Sequence, residues 1–262
     1  MYGRFQHILS LVLLCLSFTC SGQKEISNAT SDVAQFKAEK LLDVDRFGSF
    51  YFSMKNNTII KKSSDTLIKY ANFQLGEIDR LNAFNPLKLN LFYRDFNTVV
   101  LLDNRLAEIT KIDFNQGEDF KNVSLVSPAS DNAFWLFNQD EQRLELFEYL
   151  NRKTKLVTQP VKSNALDLVS DYNSCILLTE NNIHFYNYFG SMLKKIPNNG
   201  YTELAYSDGI LILKKENQLY RLNSETNDIT SVASPDFLIN QFLVTNETLY
   251  IYSRDKLIEY QL

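Results

Sequence analysis

Short apolar runs separated by polar clusters make up the chain beyond about residue 40. Runs rich in Val, Ile, Leu, Phe and Tyr recur every 8 to 12 residues, with Asn, Asp, Ser and Gly between them. This spacing is typical of strands joined by tight turns, so the pattern predicts an all-β domain. Helical periodicity is nearly absent, and the one segment compatible with a helix, 31–42, carries only a weak pattern.

The strands group into six units of about 40 residues, each with an irregular, an apolar, an amphipathic and a polar strand. The units begin near Leu41, Glu77, Asn122, Ala165, Tyr201 and Phe237. Pro160, Pro197 and Pro235 each close a fourth strand, where a residue without an N–H donor suits an outer edge. Four-stranded units at this period predict a β-propeller of six to seven blades over 41–262. A β-sandwich is the alternative, but it does not explain the shared period.

The sixth unit contains only three predicted strands before the sequence ends at Leu262. An open apolar sheet edge invites aggregation, so something is expected to cover it. The segment 23–40 is otherwise unassigned. We therefore expect this N-terminal segment to supply the missing strand and close the ring.

Residues 1–22 have the pattern of an export signal. Arg4 forms the positive region, Ile8–Phe18 is an apolar run, and Cys20-Ser21-Gly22 resembles a cleavage site, so the mature chain would begin at Gln23. The run is shorter than the roughly 20 residues a bilayer requires, so no membrane span is predicted. The alternative is a lipid anchor on Cys20, but the preceding residues fit a lipoprotein signal poorly. We expect an exported protein, periplasmic or associated with the outer membrane.

Charge and cysteine content limit the expected partners and the expected location of the protein. The chain has 27 basic and 31 acidic residues, a net charge of −4, without a run of like charges, so nucleic acid is not an expected partner. Removing the signal leaves Cys175 as the one cysteine, which excludes an internal disulfide. Exported eukaryotic proteins of this size more often carry disulfides, so a bacterial cell envelope is favoured.

Catalytic side chains are scarce in the mature sequence. His184 is its single histidine, and Cys175 lies in an apolar strand where a buried, inert thiol is usual, so we assign no catalytic residue and no zinc site. The chain has only eight glycines and contains no glycine-rich phosphate-binding loop, so no cofactor is predicted. Six carboxylates near first strands leave open a calcium site, as in a metal-assisted hydrolase or lactonase; they are Asp43, Asp45, Asp79, Asp167, Asp171 and Asp236.

The most distinctive segment is Asn85–Leu106, two strands around the turn Arg94-Asp95-Phe96-Asn97. Phe96 is a large apolar residue at a turn, so it either folds back onto the core or is presented to a partner. We assign Arg94, Asp95, Phe96 and Asn97 as a candidate partner-binding site. The stretch resembles a motif of uncharacterised exported β-propeller-like proteins of flavobacteria and related Bacteroidetes. That resemblance implies an envelope location and brings no catalytic residue.

These features favour a non-enzymatic binding or scaffolding propeller of the bacterial cell envelope with a protein partner. The alternatives are the metal-assisted hydrolase and a carbohydrate-binding module. A carbohydrate-binding module would use the aromatic residues, which make up 13% of the chain. Adjacent aromatic residues in a strand point to opposite faces, as a blade packed on both sides requires, so packing explains them better than sugar stacking.

Overall fold

The computed structural model of the protein describes residues 23–25, 38–116, 120–130, 132–233, 235–254 and 256–262; the predicted signal, 1–22, lies outside them. The first strand of the chain is β1 (Gln23–Glu25). Blade 1 comprises β2 (Ala38–Val44), β3 (Phe50–Met54), β4 (Thr58–Lys62) and β5 (Leu67–Ala71). Blade 2 comprises β6 (Arg80–Asn82), β7 (Leu89–Tyr93), β8 (Thr98–Leu102) and β9 (Glu108–Asp113), with a 3₁₀ turn at Arg94–Phe96. Blade 3 comprises β10 (Val123–Pro128), β11 (Ala133–Asn138), β12 (Arg143–Glu148) and β13 (Lys153–Val157).

The second half of the chain repeats this arrangement. Blade 4 comprises β14 (Ala165–Ser170), β15 (Ser174–Thr179), β16 (Asn182–Asn187) and β17 (Met192–Pro197). Blade 5 comprises β18 (Glu203–Ser207), β19 (Ile210–Lys215), β20 (Gln218–Leu222) and β21 (Ile229–Ala233). Blade 6 comprises β22 (Gln241–Thr245), β23 (Thr248–Ser253) and β24 (Lys256–Gln261), with β1 as its outermost strand.

The six antiparallel sheets close into a ring. The innermost strand of each blade contacts the innermost strand of the next, and β2 contacts β22, which joins the two ends of the series. The protein is a six-bladed β-propeller. The predicted fold class is confirmed, and the sandwich alternative is wrong because the sheets follow one another around an axis instead of facing each other in two layers. Residues 38–42, the end of the weakly helical segment, are in strand β2.

An apolar cluster fills each of the six interfaces between neighbouring blades. The strand β8 shows how the sequence builds them, because its side chains point alternately to the two faces of the sheet. Val100 and Leu102 pack toward blade 1, whereas Val99 and Leu101 pack toward blade 3. Both faces of a central strand are therefore buried, and this explains why the middle strands contain continuous apolar runs.

The interface between blades 6 and 1 joins the two ends of the ring. Among the described residues its cluster has five buried members, Leu41, Val44, Phe52, Tyr252 and Leu257, against nine to thirteen at the other interfaces. Strand β1 pairs antiparallel with β24 through three residue pairs and adds the fourth strand to blade 6. Across the ranges given above, no helix is long and apolar enough to span a membrane.

Candidate functional site

A central cavity of about 900 Å³ runs along the axis of the ring. A cavity of this size can hold a small organic molecule. Strands β2, β6, β14, β18 and β22 line it with their connections, and none of the described residues of blade 3 does so.

Two contacts between blades 2 and 4 separate blade 3 from the cavity. Arg80 donates from Nη2 to Asp167 Oδ1 at 2.5 Å and from Nη1 to the Leu168 carbonyl at 3.1 Å. Near the opposite face of the propeller, the aromatic side chains of Phe84 in blade 2 and Tyr172 in blade 4 meet edge to face, with centroids 4.8 Å apart. The cavity is consequently lined by five blades, and Arg80, Asp167 and Phe84 are among its lining residues.

Two aspartates of the channel connect neighbouring blades through the same device. Asp43 Oδ1 accepts the N–H of Val44 at 2.8 Å, and its Oδ2 accepts the N–H of Ala83 in blade 2 at 2.6 Å. Asp167 likewise accepts the N–H of Leu168 at 2.8 Å and that of Leu204 in blade 5 at 2.7 Å. The pairing register shifts just before each aspartate, and the aspartate accepts the N–H of the following residue. Both carboxylates therefore have a structural role.

The electrostatic surroundings of these two carboxylates differ. Burial raises the pKa of Asp43 to about 7, against the opposing effect of the two backbone N–H groups and of Arg80. Asp167 has the Arg80 guanidinium in direct contact, and that contact raises the pKa of Arg80 further. Asp43 therefore keeps its proton to a higher pH than an ordinary carboxyl group does.

Three of the other carboxylates considered for calcium are also engaged within the chain. Asp45 accepts two backbone N–H groups and the Tyr51 hydroxyl, and Asp79 is paired with Arg94. Asp171 accepts two backbone N–H groups and the Tyr206 hydroxyl. Asp236 lies at a separate, smaller cavity between the connection before β22 and the turn that joins β23 to β24. Within the described part of the chain, no three His, Cys, Asp or Glu side chains come together as a metal site.

His184 and Cys175 lie on neighbouring strands of blade 4 without forming a catalytic pair. The strand register places His184 opposite Leu177 and Cys175 opposite Tyr186. Burial lowers the pKa of His184, with a smaller contribution from Lys195, and neither ring nitrogen has a hydrogen-bond partner among the described residues. Burial also raises the pKa of the Cys175 thiol well above its ordinary value. Both groups are therefore held in their neutral forms, which are poor starting points for nucleophilic catalysis.

The predicted partner-binding turn is fixed to the connections on both sides of it. Arg94 donates from Nε and Nη2 to the two carboxylate oxygens of Asp79, at 2.8 and 3.1 Å. Asn97 is buried and takes a left-handed backbone conformation with φ of 49°. Its amide donates to the Lys121 carbonyl at 2.6 Å and accepts the N–H of Val123 at 3.1 Å. Asn97 thus holds the turn in place, and Asp95 is exposed.

Phe96 is 44% exposed at this turn and rests on Gly76, where an added Cβ would lie 3.1 Å from its ring. Phe73 and Phe120, in the connections before and after blade 2, are 79% and 58% exposed. Alternating strand directions place these three positions on the same face of the ring. We call Phe73, Phe96 and Phe120 the aromatic patch. Sequence reasoning identified only Phe96, although Phe73 and Phe120 carry the same signal of a large apolar residue in a connection.

The aromatic residues of the strands have a different role. Phe92, Tyr93, Phe134, Trp135 and Tyr252 are all buried between blades, with at most 2% of their surface exposed. They are therefore unavailable for stacking on a sugar ring. This agrees with the packing explanation of the aromatic content.

No protein-family model and no curated protein matches the sequence. Solved structures share the fold. A catalytically inactive virginiamycin B lyase from Staphylococcus aureus with quinupristin is 13% identical, with a TM-score of 0.62 over 86% of this chain and 82% of that one. A chain of the mitotic checkpoint complex is 14% identical, with a TM-score of 0.61 over 84% and 75%. A streptogramin B lyase is 13% identical, with a TM-score of 0.60 over 86% and 84%. These similarities extend to the fold alone, and they include both enzymes and a protein assembly.

Proposed function

We propose that this protein is a non-enzymatic binding or scaffolding propeller of the bacterial cell envelope, and that the aromatic patch contacts its protein partner. The observation that carries the proposal is the rigid presentation of Phe96. Two hydrogen bonds from Arg94 and two made by the Asn97 amide fix a turn whose aromatic side chain remains 44% exposed. An aromatic side chain held on a fixed backbone loses little conformational entropy on binding, and such residues often dominate interface energies.

The channel supports a non-catalytic role. Asp43 and Asp167 accept backbone N–H groups of the neighbouring blade, Asp167 is also paired with Arg80, and burial favours the neutral forms of His184 and Cys175. An acid or base catalyst must instead have a pKa near the working pH and reach the substrate. Asp43 meets the first condition, but both of its oxygens are already bonded within the chain.

Export to the envelope is inferred from residues 1–22 and from the scarcity of cysteine. Mass spectrometry of the N-terminus of the protein from its native cells tests this part. A mature chain starting at Gln23 is expected. A lipid on Cys20 would instead assign the protein to a membrane leaflet, and an uncleaved N-terminus would contradict export.

Site-specific crosslinking tests the partner. A photoreactive phenylalanine analogue would replace Phe96 and, as a matched control on the opposite face, Phe47, which is 73% exposed. Irradiation of intact cells should give one reproducible crosslinked protein from position 96 and none from position 47. Crosslinks at neither position, together with turnover on a panel of esters and lactones, would contradict the binding role.

A further inference from the structure

The outer wall of blades 3 and 4 has a charge opposite to that of the rest of the protein. The stretches 149–166 and 181–202 contain six basic residues and no Asp or Glu, which leaves 21 basic and 31 acidic residues elsewhere. The six are Arg152, Lys153, Lys155, Lys162, Lys194 and Lys195. In a chain with a net charge of −4, this separation concentrates positive potential on one side of the ring.

The two stretches meet in the folded chain. Strands β13 and β17 are the outermost strands of adjacent blades, and the turn before β17 packs against β13. At Gly190 in this turn, an added Cβ would lie 2.6 Å from Leu156 Cδ1 and 3.6 Å from Thr158. Only glycine fits so closely against the neighbouring blade. The turn of blade 4 thus packs against the outermost strand of blade 3, so the outer surfaces of the two blades are neighbours, and we call them together the wall.

Five of the six cations on this wall form no ion pair with a described residue, although Lys153 lies opposite Glu148 in the register of β12 and β13. Arg152, Lys153, Lys155, Lys162 and Lys195 are exposed, and none forms an ion pair with another described residue. Lys194 differs, because its ammonium lies 4.5 Å from the centre of the Phe185 ring and donates to Asn227. The acid nearest in sequence is Glu148, which accepts a hydrogen bond from Asn151. The positive charge of the wall is thus available to a partner.

Large apolar side chains are exposed among these cations. Leu150, Val157, Phe189, Met192 and Leu193 are between 48% and 75% exposed. A group of exposed apolar side chains with charged neighbours is typical of a surface that binds another molecule. The wall also carries two open sheet edges, since β13 and β17 each pair on one side only.

We infer that the wall formed by β13, β17 and their turns binds an acidic segment of a partner protein that also carries apolar residues. Charge complementarity selects acidic groups, and the exposed Leu, Phe and Met side chains select apolar ones. A second copy docked by two-fold symmetry would place cation against cation. A lipid bilayer would have to cover the unpaired backbone N–H and C=O groups of β13 and β17, and hydrocarbon cannot form hydrogen bonds with them. This surface is separate from the aromatic patch and uses different residues.

Fluorescence anisotropy with a labelled peptide of alternating Glu and Val tests the inference. The full mature chain should bind this peptide, and binding should weaken as salt is raised. The triple variant Lys153→Glu, Lys155→Glu, Lys195→Glu should bind at least about tenfold more weakly, since three exposed charge pairs together contribute more than about 1.4 kcal/mol. The control Lys55→Glu, Lys69→Glu, Lys111→Glu reverses three exposed lysines of blades 1 and 2 and should bind as the parent does.

Several results would overturn the inference. The first is an equal loss of affinity for the acidic peptide in both triple variants. The second is that the parent binds a peptide of alternating Lys and Val as tightly as the acidic peptide. The third is that the parent does not bind the acidic peptide at all. Selective loss of anionic-vesicle binding in the wall variant would identify a lipid surface instead, and loss of a dimer in sedimentation would identify a second copy. Thermal melting confirms that both variants fold. Because the aromatic patch is untouched, crosslinking at position 96 reports separately on the proposed function.

Discussion

The guanidinium of Arg94 donates two hydrogen bonds, of 2.8 and 3.1 Å, to the carboxylate of Asp79 on the surface of blade 2. The two side chains come from different connections on one face of the ring, and they are 47% and 27% exposed. A second charged pair, Arg80 with Asp167, lies in the channel, where the Asp167 side chain is only 3% exposed. The two pairs have the same chemistry in different surroundings, so their contributions to stability should differ.

For Arg94→Gln we expect a loss of less than about 1 kcal/mol in the free energy of unfolding, because exposed ion pairs contribute little. The same change frees the turn from Asp79, so crosslinking from position 96 should fall. Urea denaturation and the crosslinking assay measure the two effects. A stability loss above about 2 kcal/mol would show that the pair holds the fold and not merely the turn.

Asp167→Asn should be more costly. It removes the counter-charge of Arg80 and weakens the acceptor of the Leu204 N–H, at a side chain that is only 3% exposed. Breaking a buried pair costs about 3 to 5 kcal/mol, and the Arg80 side chain, 33% exposed, places the expected loss near the lower figure. Urea denaturation of Asp167→Asn and of Arg94→Gln under the same conditions compares their losses in the free energy of unfolding. Equal losses would contradict the assignment of Asp167 as a connection between blades.

Phe96→Ala should lower the free energy of unfolding by about 1 to 1.5 kcal/mol, since roughly half of the side chain is already in water. Its control is Phe92→Ala in the same hairpin. Phe92 is 2% exposed in the interface between blades 2 and 3, so about 3 to 5 kcal/mol is expected there. Similar losses in both variants would mean that Phe96 serves the core, and the aromatic patch would then lose its central member.

The blade repeat could be predicted because each strand carries its own signal. The run 99–102 is apolar at every position since both faces of the sheet are buried, and turns rich in Asn, Asp and Gly separate such runs. The channel could not be predicted in this way. Arg80 and Asp167 are 87 residues apart, and only the closed ring brings blades 2 and 4 into contact.

The two candidate surfaces show the same limit. The turn at 94–97 was recognisable from one aromatic residue in a polar turn, but the buried role of Asn97 depends on Lys121 and Val123 in the next connection. The basic wall carries no long run of like charge. It forms because Gly190 lets the turn before β17 pack against Leu156 of β13, a relation absent from either stretch alone.

Stability should fall as pH rises from about 4 to about 7, through the Asp43 carboxyl. Its pKa is about 7 in the folded chain and near 3.8 when unfolded, so in this window the folded state binds the additional proton. Asp43→Asn removes this titration, so its stability should vary less than that of the parent between pH 4 and 7. Denaturation at half-unit pH steps, with Asp65→Asn as an exposed control, measures the difference. Parallel pH profiles for parent and Asp43→Asn would contradict the raised pKa.

Closure of the ring should depend on strand β1. The interface between blades 6 and 1 has the smallest apolar cluster among the described residues, so blade 6 relies more on its sheet being complete. Three residue pairs join β1 to β24, and at about 1 kcal/mol for each hydrogen bond their loss should lower the melting temperature by about 5 to 10 °C.

A chain starting at Ala38 tests this dependence against one starting at Gln23, because β2 is then intact in both. Lys24→Pro in the longer chain is the matched variant, since proline disturbs β1 without shortening the protein. We expect a large decrease in the melting temperature for the truncated chain and a smaller one for Lys24→Pro. If the truncated chain melts with the longer one, the apolar cluster between blades 6 and 1 closes the ring by itself, and β1 is dispensable.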